Sequence, residues 1–272
     1  MTPAHLGGAT DYPPVWVVVP CHNEARTLPD TLDALASQNG PDLTVLLVDN
    51  ASTDDTAAVA AVWARHAEAS GRLPTRSSVA LLTEEQKGVG AAVDTGFRAA
   101  IAAGATHLLR TDADTVPDPD WARTAVDELG PAHGELGWDL VTGISYARPD
   151  EDGIVWRALF LTAFWIAAAF GTVRPAHWPF AGQARRRYLM TAGHNMALRP
   201  QAYLACGGMP RQGSPTDRLF ANRIRTTSDR IRRVRAMKVR TSTRRLRGYG
   251  LAGTARWYLF KGAPAGHGED LR

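Results

Sequence analysis

The chain has 272 residues, of which 44% are apolar and 21% charged, and its net charge is +4. That balance excludes a disordered chain, and two cysteines, Cys21 and Cys206, exclude a disulfide-stapled scaffold. The length suits one large α/β domain, and the low cysteine count fits a reducing compartment.

Met1 to Pro14 lacks a basic start followed by an apolar run, so no secretory leader is expected there. Val15 to Val19 is a short apolar run that predicts a buried strand ending at Pro20. Leu28 to Ala36 has helical apolar spacing, with Asp30 and Asp33 on the opposite side. Leu43 to Val48 predicts a second strand, whose carboxyl end delivers Asp49 and Asn50. Ser52-Thr53-Asp54-Asp55 then opens a helix to about His66. Ser78 to Leu82 predicts a third strand, followed by Gly88-Val89-Gly90 and a helix over Ala91 to Ala103. Thr106 to Arg110 predicts a fourth strand aimed at Thr111-Asp112-Ala113-Asp114. This alternation predicts a parallel sheet covered on both faces, with ligands beyond the carboxyl ends of its strands.

Thr115-Val116-Pro117-Asp118-Pro119 predicts a rigid turn. Further on, Leu140 to Ser145 reads as an edge strand, Trp156 to Phe170 as a buried helix, and Leu204 to Gly208 as the end of a short helix. The apolar stretch Ala158 to Phe170 is thirteen residues, short of the roughly 20 a membrane helix needs. Trp156, Phe160, Phe164 and Trp165 leave an interfacial role open. From Arg218 to Arg247 twelve arginines and lysines face the single acid Asp229. Such a block is a solvated surface or meets an anionic partner. Nucleic acid fits least, because interleaved aromatics and a zinc-finger, RRM or KH pattern are missing.

Asp112-Ala113-Asp114 brings two carboxylates to a strand end, where they can reach a magnesium or manganese ion and a nucleotide, or form a solvated turn. In Pro20-Cys21-His22-Asn23-Glu24, Asn23 and Glu24 can hold a base or ribose, or Asn23 can cap a helix. Cys21 and His22 are adjacent and lack a third orienting group, which disfavours a cysteine nucleophile.

Four segments, each at a strand exit, together resemble the family 2 glycosyltransferases of the GT-A fold: Val17 to Glu24, Leu47 to Thr56, Lys87 to Gly96 and Arg110 to Thr115. The likeness continues through Thr191 to Arg199, Cys206-Gly207-Gly208 and Ser214 to Phe220. It implies an α/β GT-A fold with a Rossmann-like, mostly parallel central sheet flanked by helices. Residues 1–120 would form the nucleotide-sugar half, 121–240 the acceptor half and 241–272 a basic tail.

The resemblance also implies roles. Pro20, Asn23, Glu24, Asp49 and Asn50 would line the nucleoside, and Lys87, Gly88 and Gly90 the anionic part of the donor. Asp112 would sit near ribose and sugar, and Asp114 would be the main ligand of a Mg2+ or Mn2+ ion on the diphosphate. His194, Arg244 and Arg245 are candidates for the leaving diphosphate, with packed or solvated alternatives. Asp217 would be the catalytic base, with Arg211 or the arginines of 218–225 beside it. Two departures stand out: Thr216 replaces the usual Glu before the base, and Asp94 replaces a usual Asn.

The expected activity is therefore inverting, single-transfer glycosyl transfer from a nucleotide-diphosphate sugar to an acceptor hydroxyl or phosphate, possible lipid linkage included. An inactive nucleotide-sugar-binding protein of the same fold and, more remotely, a nucleotidyltransferase are the alternatives. The expected location is cytoplasmic, with peripheral membrane contact as an option.

Overall fold

The computed structural model describes residues 2–8, 14–131, 137–151, 153–172, 189, 191–211, 216–244, 247–248 and 250. The first half runs β1 (Ala4–Gly8), β2 (Val15–Cys21), α1 (Leu28–Ala36), β3 (Leu43–Asp49), α2 (Thr56–Ala69), β4 (Ser78–Thr83), α3 (Val89–Ala102) and β5 (His107–Arg110). Then come β6 (Thr115–Pro117), α4 (Trp121–Leu129), β7 (Leu140–Ala147), α5 (Ile154–Thr172), β8 (Met196–Leu198), α6 (Pro200–Ala205), α7 (Thr216–Thr227) and β9 (Ile231–Thr241).

The strands form one nine-stranded sheet in the order β1-β4-β3-β2-β5-β8-β7-β9-β6. Its central run β4-β3-β2-β5 is parallel, as continuous apolar strands demand when both faces are covered. Alternation along β2 divides the core. Val15, Val17 and Val19 pack under α1, α2 and α4, whereas Trp16 and Val18 pack under α3, α6 and α7. Each such buried side chain contributes about 1.5–3 kcal/mol. The expected fold class holds, and every strand of the parallel run ends at the same edge.

Four local expectations are corrected. Leu140 to Ser145 lies inside the sheet, between β8 and β9, because β9 adds beyond it in parallel. Thr115 to Pro117 is a strand, since its backbone finds β9 as an antiparallel partner. The basic segment is not merely solvated: β9 buries Val234, Met237 and Val239 while Arg232, Arg235 and Arg240 are exposed. The helix expected to be buried is α5, yet Ile154 is 80% and Val155 67% exposed, with Trp156, Trp165 and Ile166 also open. Phe164 is its buried anchor, under the Arg233 guanidinium. Among the described residues, no helix is long and apolar enough to cross a membrane.

Candidate functional site

The loops after β2 and β3 meet through Asn23. Its backbone is left-handed, at φ 55°, a conformation asparagine tolerates better than most residues. Its side-chain oxygen accepts the Thr53 and Asp54 amides at 2.8 and 3.3 Å, and its own amide donates to Ser52 Oγ at 3.1 Å. Asn23 thus caps the approach to α2 and does not cap α1. Asn50 organises the next loop. Its Nδ2 donates to the Glu84 and Gln86 carbonyls at 2.9 and 2.8 Å, and its Oδ1 accepts the Gly88 amide at 2.7 Å. That buried amide is committed to backbone, whereas half-buried Asp49 accepts the Ser52 amide through Oδ1 at 3.3 Å. Pro20 is the half-buried penultimate residue of β2.

Lys87 and Gly88 are exposed at the tip of the following loop, just before α3. Gly90 serves a different purpose from the one expected. A Cβ there would lie 2.1 Å from the Pro210 carbonyl oxygen and 2.6 Å from Thr216 Cγ2, so its bare backbone admits the chain's own residues Pro210 and Thr216. Thr216 fills this contact with a methyl group, at the position where a Glu was expected.

Asp112 and Asp114 stand beyond β5, with side chains 28% and 14% exposed. Thr115 Oγ1 donates to Asp114 Oδ1 at 3.2 Å, and Thr31 Oγ1 pins the intervening Ala113 carbonyl at 3.0 Å. Arg244 closes over this turn: it grips Glu24 with both Nη atoms, and Nη2 lies 3.3 Å from Asp114 Oδ2. Burial works against the Arg244 charge, but Glu24, Asp114 and Asp112 outweigh it and push its pKa up. Arg245, the other expected basic residue, lies outside the described residues.

These residues fit a divalent ion. Asp112 and Asp114 offer hard oxygen donors on a turn held by its own hydrogen bonds, and a cation already sits against Asp114. Among the described residues no three His, Cys, Asp or Glu side chains gather into a closed cage. An ion here would therefore need ligand oxygens as well, the arrangement Mg2+ favours. Arg244 Nε is buried without a hydrogen-bond partner, an orphan donor that an anionic oxygen would satisfy.

Arg110, the last residue of β5, joins the two sides of the site. It is 1% exposed, donates to Asp217 Oδ1 through Nη1 at 2.8 Å, and reaches Asp112 Oδ1 through Nη2 at 3.1 Å. Burial opposes its charge, yet Asp112 and Asp217 more than compensate and raise its pKa. Asp217 lies in the first turn of α7, a position that favours negative charge. Its Oδ2 accepts the Gly193 amide at 3.2 Å. A Cβ on Gly193 would come within 2.5 Å of either Asp217 oxygen, so this glycine is required for the approach. Arg110 is a cation beside Asp217 that the expectation of Arg211 or the arginines of 218–225 did not include, and Arg211 turns toward Glu84 and Asp94.

Several other residues are accounted for locally. His194 Nε2 hydrogen-bonds Ser145 Oγ at 2.7 Å, which ties it to β7. Asn195, fully buried, accepts from Trp121 Nε1 and donates to the Ile144 and Met237 carbonyls. Asp94 is interior to α3 and is no helix cap; it accepts from Tyr203 Oη at 2.6 Å, from Arg98 Nε at 3.0 Å and from Arg211 Nη1 at 3.3 Å. Cys21 Sγ donates to the Val19 carbonyl, and burial followed by the charge of Glu24 drives its pKa well up, which removes any nucleophilic role.

Comparison with known proteins bears on the family and the fold. Residues 16–193 match the family model described as glycosyl transferase family 2. The chain is 36% identical over 129 residues to uncharacterized glycosyltransferases of Mycobacterium bovis (Mb0553) and Mycobacterium tuberculosis (Rv0539), covering 47% of this chain and 47% of each relative. It thus spans about half the length of these curated relatives. Among solved structures, the mannosyltransferase PcManGT of Pyrobaculum calidifontis, in complex with GDP-Man and Mn2+, superposes with a TM-score of 0.61 at 23% identity, over 95% of this chain and 68% of that one. Glucosyl-3-phosphoglycerate synthase of Mycobacterium tuberculosis, with Mn2+, UDP-glucose and phosphoglyceric acid, gives 0.55 at 20% identity, over 90% and 77%. These two likenesses concern the fold.

Proposed function

This chain belongs to glycosyl transferase family 2, and from that premise we propose that it is an inverting, single-transfer glycosyltransferase using a nucleotide-diphosphate sugar. The observation that carries the proposal is the buried Arg110, which holds a donor-side carboxylate, Asp112, and an acceptor-side carboxylate, Asp217, at one sheet edge. The Mn2+ complexes of PcManGT with GDP-Man and of the synthase with UDP-glucose support a metal-assisted nucleotide-sugar donor.

Asp49, on the loop beside Asn50, is assigned to the nucleoside, and Asp112 to the ribose and sugar. Asp114, with Asp112 beside it, would hold Mg2+ or Mn2+. That ion, when bound, supplies positive charge to the diphosphate as it departs. Lys87 and Arg244 add cationic side chains around the same leaving group, where developing charge is best stabilised. Asp217, its side chain 35% exposed, is open to an acceptor hydroxyl. It takes the hydroxyl proton as the oxygen attacks the anomeric carbon and the bond to the diphosphate breaks, the electron pair leaving with phosphate oxygen. One displacement inverts the anomeric centre. Arg110 and the Gly193 amide position Asp217: each holds one of its carboxylate oxygens and so aims the group.

The exposed apolar residues of α5 support an acceptor with a lipid portion, met at the cytoplasmic face of a membrane. Asp217→Asn tests the central assignment, and also the alternative of a binding protein without catalysis. We expect transfer to fall at least about 100-fold, the scale of a lost general base, with donor affinity within about twofold. Equal loss of donor binding, or undiminished transfer, contradicts the role.

A further inference from the structure

Two anionic groups converge on one guanidinium at the mouth of the Asp112 to Asp114 turn. Arg244 holds Glu24 with both Nη atoms and touches Asp114 Oδ2 with one of them. The backbone is carried there by β9: Thr241 pairs with Thr115, and the Ser242 amide donates to the Asp114 carbonyl at 3.3 Å. Ser242 Oγ is fastened in turn to Glu151, which also lies within reach of Arg148 and Arg247. Arg244 is therefore a cation held by design of the fold against the carboxylate assigned to the divalent ion.

We propose that Arg244 is the resident counter-cation of the donor-free site, that it leaves Asp114 when a divalent ion arrives, and that it then serves the diphosphate, so that ion and nucleotide bind cooperatively. The inference rests on the donor-site reading given above. A guanidinium and a divalent ion on one carboxylate repel strongly at low local dielectric, so the ion alone must displace Arg244. Glu24, with a side chain only 8% exposed, holds the guanidinium at two points, so Arg244 remains in the site once its contact with Asp114 is given up. The buried Nε, which has no acceptor, gains one if a phosphate oxygen enters. A diphosphate then neutralises both cations, and each ligand eases the binding of the other by the same factor.

The test is Mn2+ titration of the full chain, read as free Mn2+ by electron paramagnetic resonance, alone and with saturating UDP, GDP or dTDP. For the natural sequence we expect the matching nucleotide to tighten Mn2+ binding at least about fivefold, the lower end of allosteric couplings. Arg244→Gln should bind Mn2+ alone at least about fivefold tighter than the natural sequence and lose most of that coupling. Arg244→Lys keeps the charge without the two-point grip and should fall between; it also carries the test if the glutamine variant does not fold. Mn2+ affinity in the absence of nucleotide that is unchanged or weaker in the folded variant overturns the proposal. Asp114→Asn separates this failure from that of the donor site itself. If it leaves Mn2+ binding intact, the donor site is wrongly assigned; if it abolishes binding while the Arg244 variants do not tighten it, only the exchange is wrong.

Discussion

Arg110 keeps a full charge at 1% exposure because Asp112 and Asp217 meet it from opposite sides. Its replacement by Met would strand both carboxylates against a buried apolar stem. Breaking a buried pair costs about 3–5 kcal/mol, and the partial exposure of both partners puts the expected loss nearer 3. Urea denaturation of Arg110→Met measures it; a loss below about 1 kcal/mol would mean that the bridge contributes little. Spacing alone could not expose this residue, since Asp217 lies 107 positions away and Arg110 reads as the last residue of an apolar strand. Asn23 and Asn50 show the converse. They were visible as motif residues, but their amides are committed to neighbouring backbone, which depends on how two loops pack.

At the scale of elements, α3 and the loop before it are joined to the segment after α6 by ion pairs. Arg211 contacts Glu84 at 2.8 Å and Asp94 at 3.3 Å. Burial opposes the charge on Glu84, but hydrogen bonds from Thr95, Arg211 and the Gln86 amide outweigh it and hold its carboxyl below the ordinary value. A carboxyl lowered in the folded state stabilises above its unfolded pKa and loses that contribution as pH falls through the folded value. The natural chain should therefore be more stable than Glu84→Gln at pH 7, with the gap closing as pH falls below about 4.5. Thermal melts across that range decide it; a gap that is independent of pH would deny the charge a role. The central strands were legible because each is an uninterrupted apolar run with a helix after it. β6 and β8 were not, being three residues each and defined by their partners. β9 was hidden because its buried Val234, Met237 and Val239 are interspersed among arginines.

Across the whole molecule, the parallel order puts the ends of β2, β3 and β5 at one edge, where Arg110 at the end of β5 meets Gly193 and Asp217 from distant stretches of chain. The candidate site at the ends of β3 and β5 could be read from sequence because its residues directly follow strands. The second half could not be read as well, because its placement depends on Arg110, on the close approach at Gly90 and Gly193, and on the course of β9. A ligand that binds only the folded chain raises its melting temperature, by about 2.7 kcal/mol of stability at a hundredfold excess over Kd. The most direct measurement is therefore a thermal-shift panel of UDP-, GDP- and dTDP-sugars, each with and without Mn2+, on the natural chain and on Asp114→Ala. We predict that one nucleotide class raises the melting temperature only when Mn2+ is present and that Asp114→Ala abolishes the rise; no rise with any donor, or one that survives without Mn2+ and in Asp114→Ala, would contradict the account.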